Sequence, residues 1–136
     1  MSEGTEFIHE GYQYLKTARN GSKRKEVFNN ELIFNLIGLS VEKFLVGLCL
    51  QHGHMPADHT LAGIVVETHR LCPMEETLVK AIHMMDHVQD LCSLDVKCSC
   101  IVSDLQIENL LAMNDQVASF VNQNTKTPMD DLVAEE

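Results

Sequence analysis

Residues 32–50, LIFNLIGLSVEKFLVGLCL, decide the fold of this chain. At helical spacing their apolar side chains cover almost the whole circumference, where a surface helix would carry a single apolar stripe. A helix of this kind is enclosed by other helices or faces a second subunit. We therefore predict a long central helix over residues 25–52. In a chain of 136 residues one of its walls is expected to meet a partner copy, which predicts a homodimer.

Four further helices are predicted around this segment, over residues 5–19, 56–70, 73–93 and 104–122. Gly53 is expected to end the central helix, and Pro56 and Pro73 are expected to open the two helices that follow. Ser103 and Gln106 have the spacing of a capping box at the start of the last one. Short connections favour an all-α, up-and-down four-helix bundle with one additional helix. Residues 1–123 would form this domain, followed by a flexible acidic tail over 124–136.

Charge and cysteine usage limit the classes of function. The formal net charge of −10 disfavours non-specific nucleic-acid binding. One short basic stretch is either a solvated connection or a local anion patch, and it contains Lys16, Arg19, Lys23, Arg24 and Lys25. The first residues lack a secretory leader, and no apolar run reaches the length of a membrane span. Five cysteines without such a leader are expected to be reduced thiols, which predicts a cytoplasmic location.

Histidine and cysteine are plentiful in the second half of the chain, but their spacing fits no specific metal motif. His83 and His87 share one face of a predicted helix. Asp90, Cys92, Cys98 and Cys100 follow, without a Cys-x-x-Cys or His-Glu-x-x-His pattern. The two histidines are opposite the apolar face of that helix. We therefore expect surface histidines, no bound metal and no cofactor; the alternative is a metal or redox role for Cys92, Cys98 and Cys100.

Catalytic motifs are also missing from the sequence. There is no nucleophile elbow, and the seven glycines are scattered without forming a phosphate-binding loop. No catalytic residue is predicted, and an enzyme is the less favoured interpretation.

The best candidate site is at the end of the central helix and in the turn after it. Glu42 and Lys43 are the only charges within the apolar run, and buried charges need partners. His54 and His59 follow in the turn. These four residues are predicted to contact a ligand, with Lys43 facing phosphate. The alternative is a structural role, in which Glu42 and Lys43 form ion pairs across the dimer and His59 closes the turn.

This stretch resembles the HEPN family of small helical domains. The family pattern is a helix carrying Glu-Lys between apolar residues, then Gly, a short gap, Pro, and His followed by Leu. Glu42-Lys43, Gly53, Pro56, and His59 with Leu61 match it in order and spacing, within about residues 28–66.

The resemblance implies an up-and-down helical bundle, usually homodimeric. Many HEPN members look like nucleotide-binding partners of minimal nucleotidyltransferases. Others are RNases with an Arg, a polar residue and a His four to six positions further on, and neither Arg19, Arg24 nor Arg70 is followed by such a His. We therefore expect a non-catalytic member that binds a nucleotide or a nucleotidyltransferase subunit. The alternatives are a divergent toxin-type RNase using Lys80, His83, Asp86 and His87, and an antitoxin-like protein-interaction domain.

Overall fold

The computed structural model describes residues 3–94 and 102–125, with side chains for 4–88 and 102–125. Within these ranges the chain is all-helical and contains no strand. The helices are α1 (Glu3–Ser22), α2 (Asn30–Gln51), α3 (Leu61–Leu71), α4 (Glu76–Leu94) and α5 (Asp104–Asn124). The predicted all-α bundle with one additional helix is confirmed. The predicted tail lies outside the described residues from residue 126 onward.

α2 is the central helix and packs against α1, α3 and α5. Eleven of its 22 residues are buried by the chain's own helices. The wall predicted to meet a second copy is therefore reduced to a strip that includes Leu32 and Leu39, which are 41% and 38% exposed. By length and composition alone α2 could cross a membrane, but 61% of its most apolar window is buried, as in the core helix of a bundle. The homodimer stays a prediction.

α1 and α2 approach each other most closely at glycines. A methyl group at Gly47 would lie 2.7 Å from the carbonyl oxygen of Gly4, which is closer than carbon and oxygen can pack. At a second contact between the same two helices, Gly11 of α1 lies against the ring of Phe44. A methyl group at Gly11 would lie 2.9 Å from ring carbons. The absence of side chains at these positions sets the distance between the two helices.

Three predicted helix starts are wrong, and in two cases a capping side chain shows why. α2 begins at Asn30, five residues after the predicted start, because the Asn29 side chain accepts a hydrogen bond from Leu32 N at 2.8 Å. α3 begins at Leu61, because the Thr60 hydroxyl accepts one from Gly63 N at 3.0 Å. Pro56 therefore precedes α3 by several residues.

The start of α4 was also placed too early. α4 begins at Glu76, three residues after Pro73. The carbonyl of Glu75 accepts the hydrogen bond from Val79 N at 3.1 Å that opens the helix. By contrast, the capping box of Ser103 and Gln106 is present as predicted, and Gly53 follows α2 with a φ of 77°, a left-handed conformation that favours glycine.

The core contains a small polar network between α1, α2 and α5. The hydroxyl of Ser40 donates to the carbonyl of Gly11 at 2.7 Å, and the Asn114 amide nitrogen donates to Ser40 Oγ at 3.0 Å. A second polar contact joins α2 to α3, where Cys49 Sγ is 3.3 Å from the hydroxyl of Thr68. Cys49 is fully buried, and this burial raises the pKa of its thiol.

Acidic residues of α5 compensate part of the basic stretch. Arg19, in the last turn of α1, forms an ion pair with Asp115. Lys25 Nζ lies 3.1 Å from Asp104 Oδ1, and hydrogen bonds from Asn30 and then Lys25 lower the pKa of Asp104. Ion pairs therefore join the basic stretch to α5, which favours a connecting segment over an anion patch.

Candidate functional site

Two neighbouring cavities open along the exposed strip of α2. The larger has a volume of about 440 Å³ and the smaller about 180 Å³, and Glu42 and His59 line both. We call the two together the Glu42 groove. The larger cavity is also lined by Asn35, Gly38, Leu39, Thr60, Leu61 and Asp86, and the smaller by Phe7, Lys43, Val46, Met55, Pro56 and Asp58.

Lys43 is held by α1 within the same chain. Its Nζ lies 3.4 Å from Glu10 Oε2 and 4.6 Å from the centre of the Phe7 ring. The ammonium therefore has an opposite charge on one side and the negative face of an aromatic ring on the other. This contact supplies, inside one chain, the partner that the structural interpretation placed across a dimer.

The side-chain carboxylate of Glu42 has no hydrogen bond or ion pair with any residue that the structure describes. It is half-buried, and it faces the point where the two cavities meet. Its carboxylate oxygens are therefore free to accept hydrogen bonds from a ligand in either cavity. Glu42 is thus the group in the groove that a ligand would compensate.

The turn that presents His59 is built around Asp58. The Asp58 carboxylate accepts hydrogen bonds from Thr60 N and Thr60 Oγ1, both at 2.9 Å. These bonds, the backbone one first, lower the pKa of Asp58. The carboxylate lies directly over Gly63 of α3, where a methyl group would be only 2.1 Å from Asp58 Oδ2. The turn can therefore lie close to the first residues of α3 because position 63 is glycine.

The N-terminus of α3 forms one wall of the larger cavity, and the protein satisfies its amides. Asp86 of α4 accepts a hydrogen bond from Leu61 N at 3.2 Å, and Thr60 accepts the one from Gly63 N. A free helix N-terminus binds anions. Here carboxylate and hydroxyl oxygens already occupy that position, so it offers little to a phosphate.

His54 forms a hydrogen bond within the protein, outside the groove. Its Nε2 donates to Glu67 Oε1 at 2.8 Å, and Glu67 Oε2 also accepts from Ala57 N at 3.1 Å. His54 does not line either cavity of the groove. The hydrogen bond from His54 is the largest cause of a lowered pKa at Glu67, with the amides of Ala57 and Asp58 adding to it. Glu67 thus fastens the turn after α2 to α3.

Glu67→Gln is expected to lower stability in a pH-dependent way. Because the folded-state pKa of Glu67 is depressed, its contribution is present above the unfolded pKa of about 4.3 and is lost as pH falls through the folded pKa. The gap in melting temperature between wild type and Glu67→Gln should therefore be widest at pH 6 and shrink as the pH falls below the unfolded pKa. Thermal unfolding followed by circular dichroism from pH 3 to 6 measures it, and a gap independent of pH would contradict the assignment.

The structure brings together three of the four predicted site residues. Glu42, Lys43 and His59 line the groove, whereas His54 lies on the far side of the turn with Glu67. Sequence reasoning connected Asp86 only with the RNase alternative and not with the groove, because 25 residues separate it from Leu61. The Asp-x-Thr spacing of residues 58 and 60 was a local signal for the turn.

The other candidate chemistries gain no geometric support in the described part of the chain. There, no three His, Cys, Asp or Glu side chains lie close enough to hold a metal ion. His83 and His87 are exposed, as predicted for the solvated face of α4. The side chains of Asp90, Cys92, Cys98 and Cys100 lie outside the described residues.

The residues of the RNase alternative are engaged separately. Lys80 Nζ lies 3.1 Å from Glu76 Oε1 on the exposed side of α4. Asp86 turns its carboxylate to α3. Neither cavity of the Glu42 groove is lined by His83 or His87.

Comparison with known proteins adds no identification. No family model matches the chain, and neither a curated protein nor a solved structure does.

Proposed function

We propose that this chain is a non-catalytic helical binding module of HEPN type, and that the Glu42 groove receives its ligand. One observation carries the proposal: Glu42 is a half-buried carboxylate without a partner in the described structure, at the junction of two cavities. An unpaired charge in such a place lowers stability until a ligand compensates it. The fold therefore retains at this position a residue that is better suited to binding than to packing.

A protein partner fits this site better than a free nucleotide. Glu42, Asp58 and Asp86 give the groove a negative charge that repels phosphate. The HEPN resemblance suggests a nucleotidyltransferase subunit as the partner, and an antitoxin-like interaction would use the same surface. A cytoplasmic location and self-association as a homodimer remain part of this proposal.

A nucleotide is the second candidate, because Lys43 and His59 both line the smaller cavity. For it to bind, the Lys43 ammonium would have to exchange Glu10 for a phosphate.

Site-specific photo-crosslinking tests the first candidate. A photoreactive amino acid replaces Leu39 at the groove, and in a matched control it replaces Leu105 on α5, which is 65% exposed. In the native cells, we expect a discrete crosslinked product from position 39 that the control lacks and that Glu42→Gln weakens. A product with a second copy of the chain would identify the homodimer. The same products from both positions, or none from position 39, would remove the groove as the binding site.

Thermal shift with nucleotides, with and without magnesium, tests the second candidate. A nucleotide at about a hundred times its dissociation constant adds roughly 2.7 kcal/mol of stability. Lys43→Ala should abolish the shift if Lys43 holds the phosphate. No shift with wild-type protein would leave the protein partner as the ligand.

A further inference from the structure

The three carboxylates of the groove differ in the hydrogen bonds that they accept from the protein. Asp58 and Asp86 both accept hydrogen bonds from neutral donors, so they keep their negative charge while one oxygen of each is engaged. Glu42 has neither a donor nor a cation among the described residues. The groove thus combines a negative potential from three carboxylates with one carboxylate whose oxygens are available.

Lys43, the lysine that lines the groove, does not neutralise the negative charge of Glu42. Lys43 lines the smaller cavity, but its ammonium is 3.4 Å from Glu10 and stands over the Phe7 ring. Its charge is therefore neutralised by α1 and not by its neighbour Glu42. A ligand that approaches Glu42 meets an uncompensated negative charge, which selects a cation and disfavours an anion.

Both cavities have many polar lining residues, but apolar side chains of α2 lie on both sides of Glu42 along the helix. Leu32, Leu39 and Val46 follow one another at seven-residue intervals on the same face of α2, and the first two are 41% and 38% exposed. From position 32 to position 46 this strip extends about 21 Å along the helix. That length exceeds a small amine but suits an amphipathic helix lying along α2, with apolar residues on both sides of one central charge.

A second copy of this chain is a poor occupant of the groove. Each copy carries a formal net charge of −10, so approach of two acidic surfaces is opposed. In a two-fold pairing of α2 with α2, the only cation that α2 could offer Glu42 is Lys43, which Glu10 already holds. A different protein with a basic residue avoids both difficulties.

We infer that the occupant of the Glu42 groove is an amphipathic helix of a partner protein, which places an arginine on Glu42 between two apolar anchors. This rests on the proposed function, that the groove is the ligand site. Arginine fits better than lysine because its planar guanidinium can donate two parallel hydrogen bonds to one carboxylate. Leu39 contacts the apolar residues next to that arginine.

A displayed library tests the inference. It contains helical peptides of about 18 residues with fixed leucines at helical spacing and randomised positions between them. It is selected on wild-type protein, on Glu42→Gln and on Leu39→Asp, each checked for folding by circular dichroism. We expect arginine to be enriched at one central position on wild type, with this enrichment lost on Glu42→Gln.

The best peptide is then synthesised with arginine and with its neutral isostere citrulline at that position. On wild type, citrulline should weaken binding about tenfold, and on Glu42→Gln it should have little further effect, because the two changes remove one interaction. Wild-type protein that selects no peptide overturns the inference. Peptides without basic enrichment that bind Glu42→Gln as well as wild type overturn the inference too. If such peptides no longer bind Leu39→Asp, the groove is still the binding site. Binding that survives Leu39→Asp as well would reject the proposed function itself.

Discussion

Replacing Phe44 by alanine is expected to lower the free energy of unfolding by about 3–5 kcal/mol. The Phe44 ring is fully buried and meets Tyr12 edge to face, with ring centres 4.9 Å apart and planes at 86°. It also fills the space that Gly11 leaves open on α1. Alanine would remove these contacts and leave a cavity between rigid backbones. Because the whole stability of a domain this size is only about 5–15 kcal/mol, the variant should be marginally folded at best.

Urea denaturation followed by circular dichroism measures this loss. Val27→Ala is the control, because Val27 is 59% exposed and its truncation should change stability by no more than about 0.5 kcal/mol. A loss below about 1 kcal/mol for Phe44→Ala would show that the α1–α2 interface can collapse around the missing ring.

Gly47→Ala should lower the free energy of unfolding by about 1–3 kcal/mol, although alanine is the better helix former. The new methyl group would lie 2.7 Å from the Gly4 carbonyl oxygen and 2.7 Å from Ile8 Cγ1. The first of these is backbone, so relief requires moving the whole of α1. The expected strain outweighs the roughly 1 kcal/mol that alanine gains over glycine in a helix.

Asn35→Ala is the matched control on the same helix. Asn35 is exposed, so its replacement gains helix propensity without a clash and should leave stability unchanged or slightly higher. The comparison uses urea midpoints at one pH. A Gly47→Ala variant more stable than wild type would mean that α1 and α2 are not in close contact at this point.

The fold could be predicted from the sequence because one segment constrains it strongly. An apolar run as long as residues 32–50 favours a helix that other helices enclose, and the remaining apolar positions supply them. The inner face of α3 has the spacing of an amphipathic helix, since Leu61, Ile64, Val65 and Thr68 are all buried. α3 and α4 begin later than predicted because Pro56 and Pro73 do not open them, and α2 begins later than predicted because Asn29 caps it.

The candidate site was predictable only in part. Charges inside an apolar run pointed to Glu42 and Lys43, and the structure places both at the groove. Their different surroundings were not predictable, because Glu10 is on another helix and pairs with Lys43 alone. The hydrogen bond between His54 and Glu67 was not predictable for the same reason, since Glu67 lies thirteen residues further on and meets His54 only through the fold of the turn.

The rate at which the buried Cys49 thiol is labelled can report local separation of α2 and α3. Cys49 is enclosed between α2 and α3, with its sulfur against Thr68 and its pKa raised by burial. A thiol-specific reagent can reach the sulfur only after these helices separate, and the raised pKa disfavours the reactive thiolate in the closed core. Its labelling rate, followed by mass spectrometry of the peptide that contains it, would therefore report how often α3 leaves α2. If a helical partner fastens across the groove, that rate should fall.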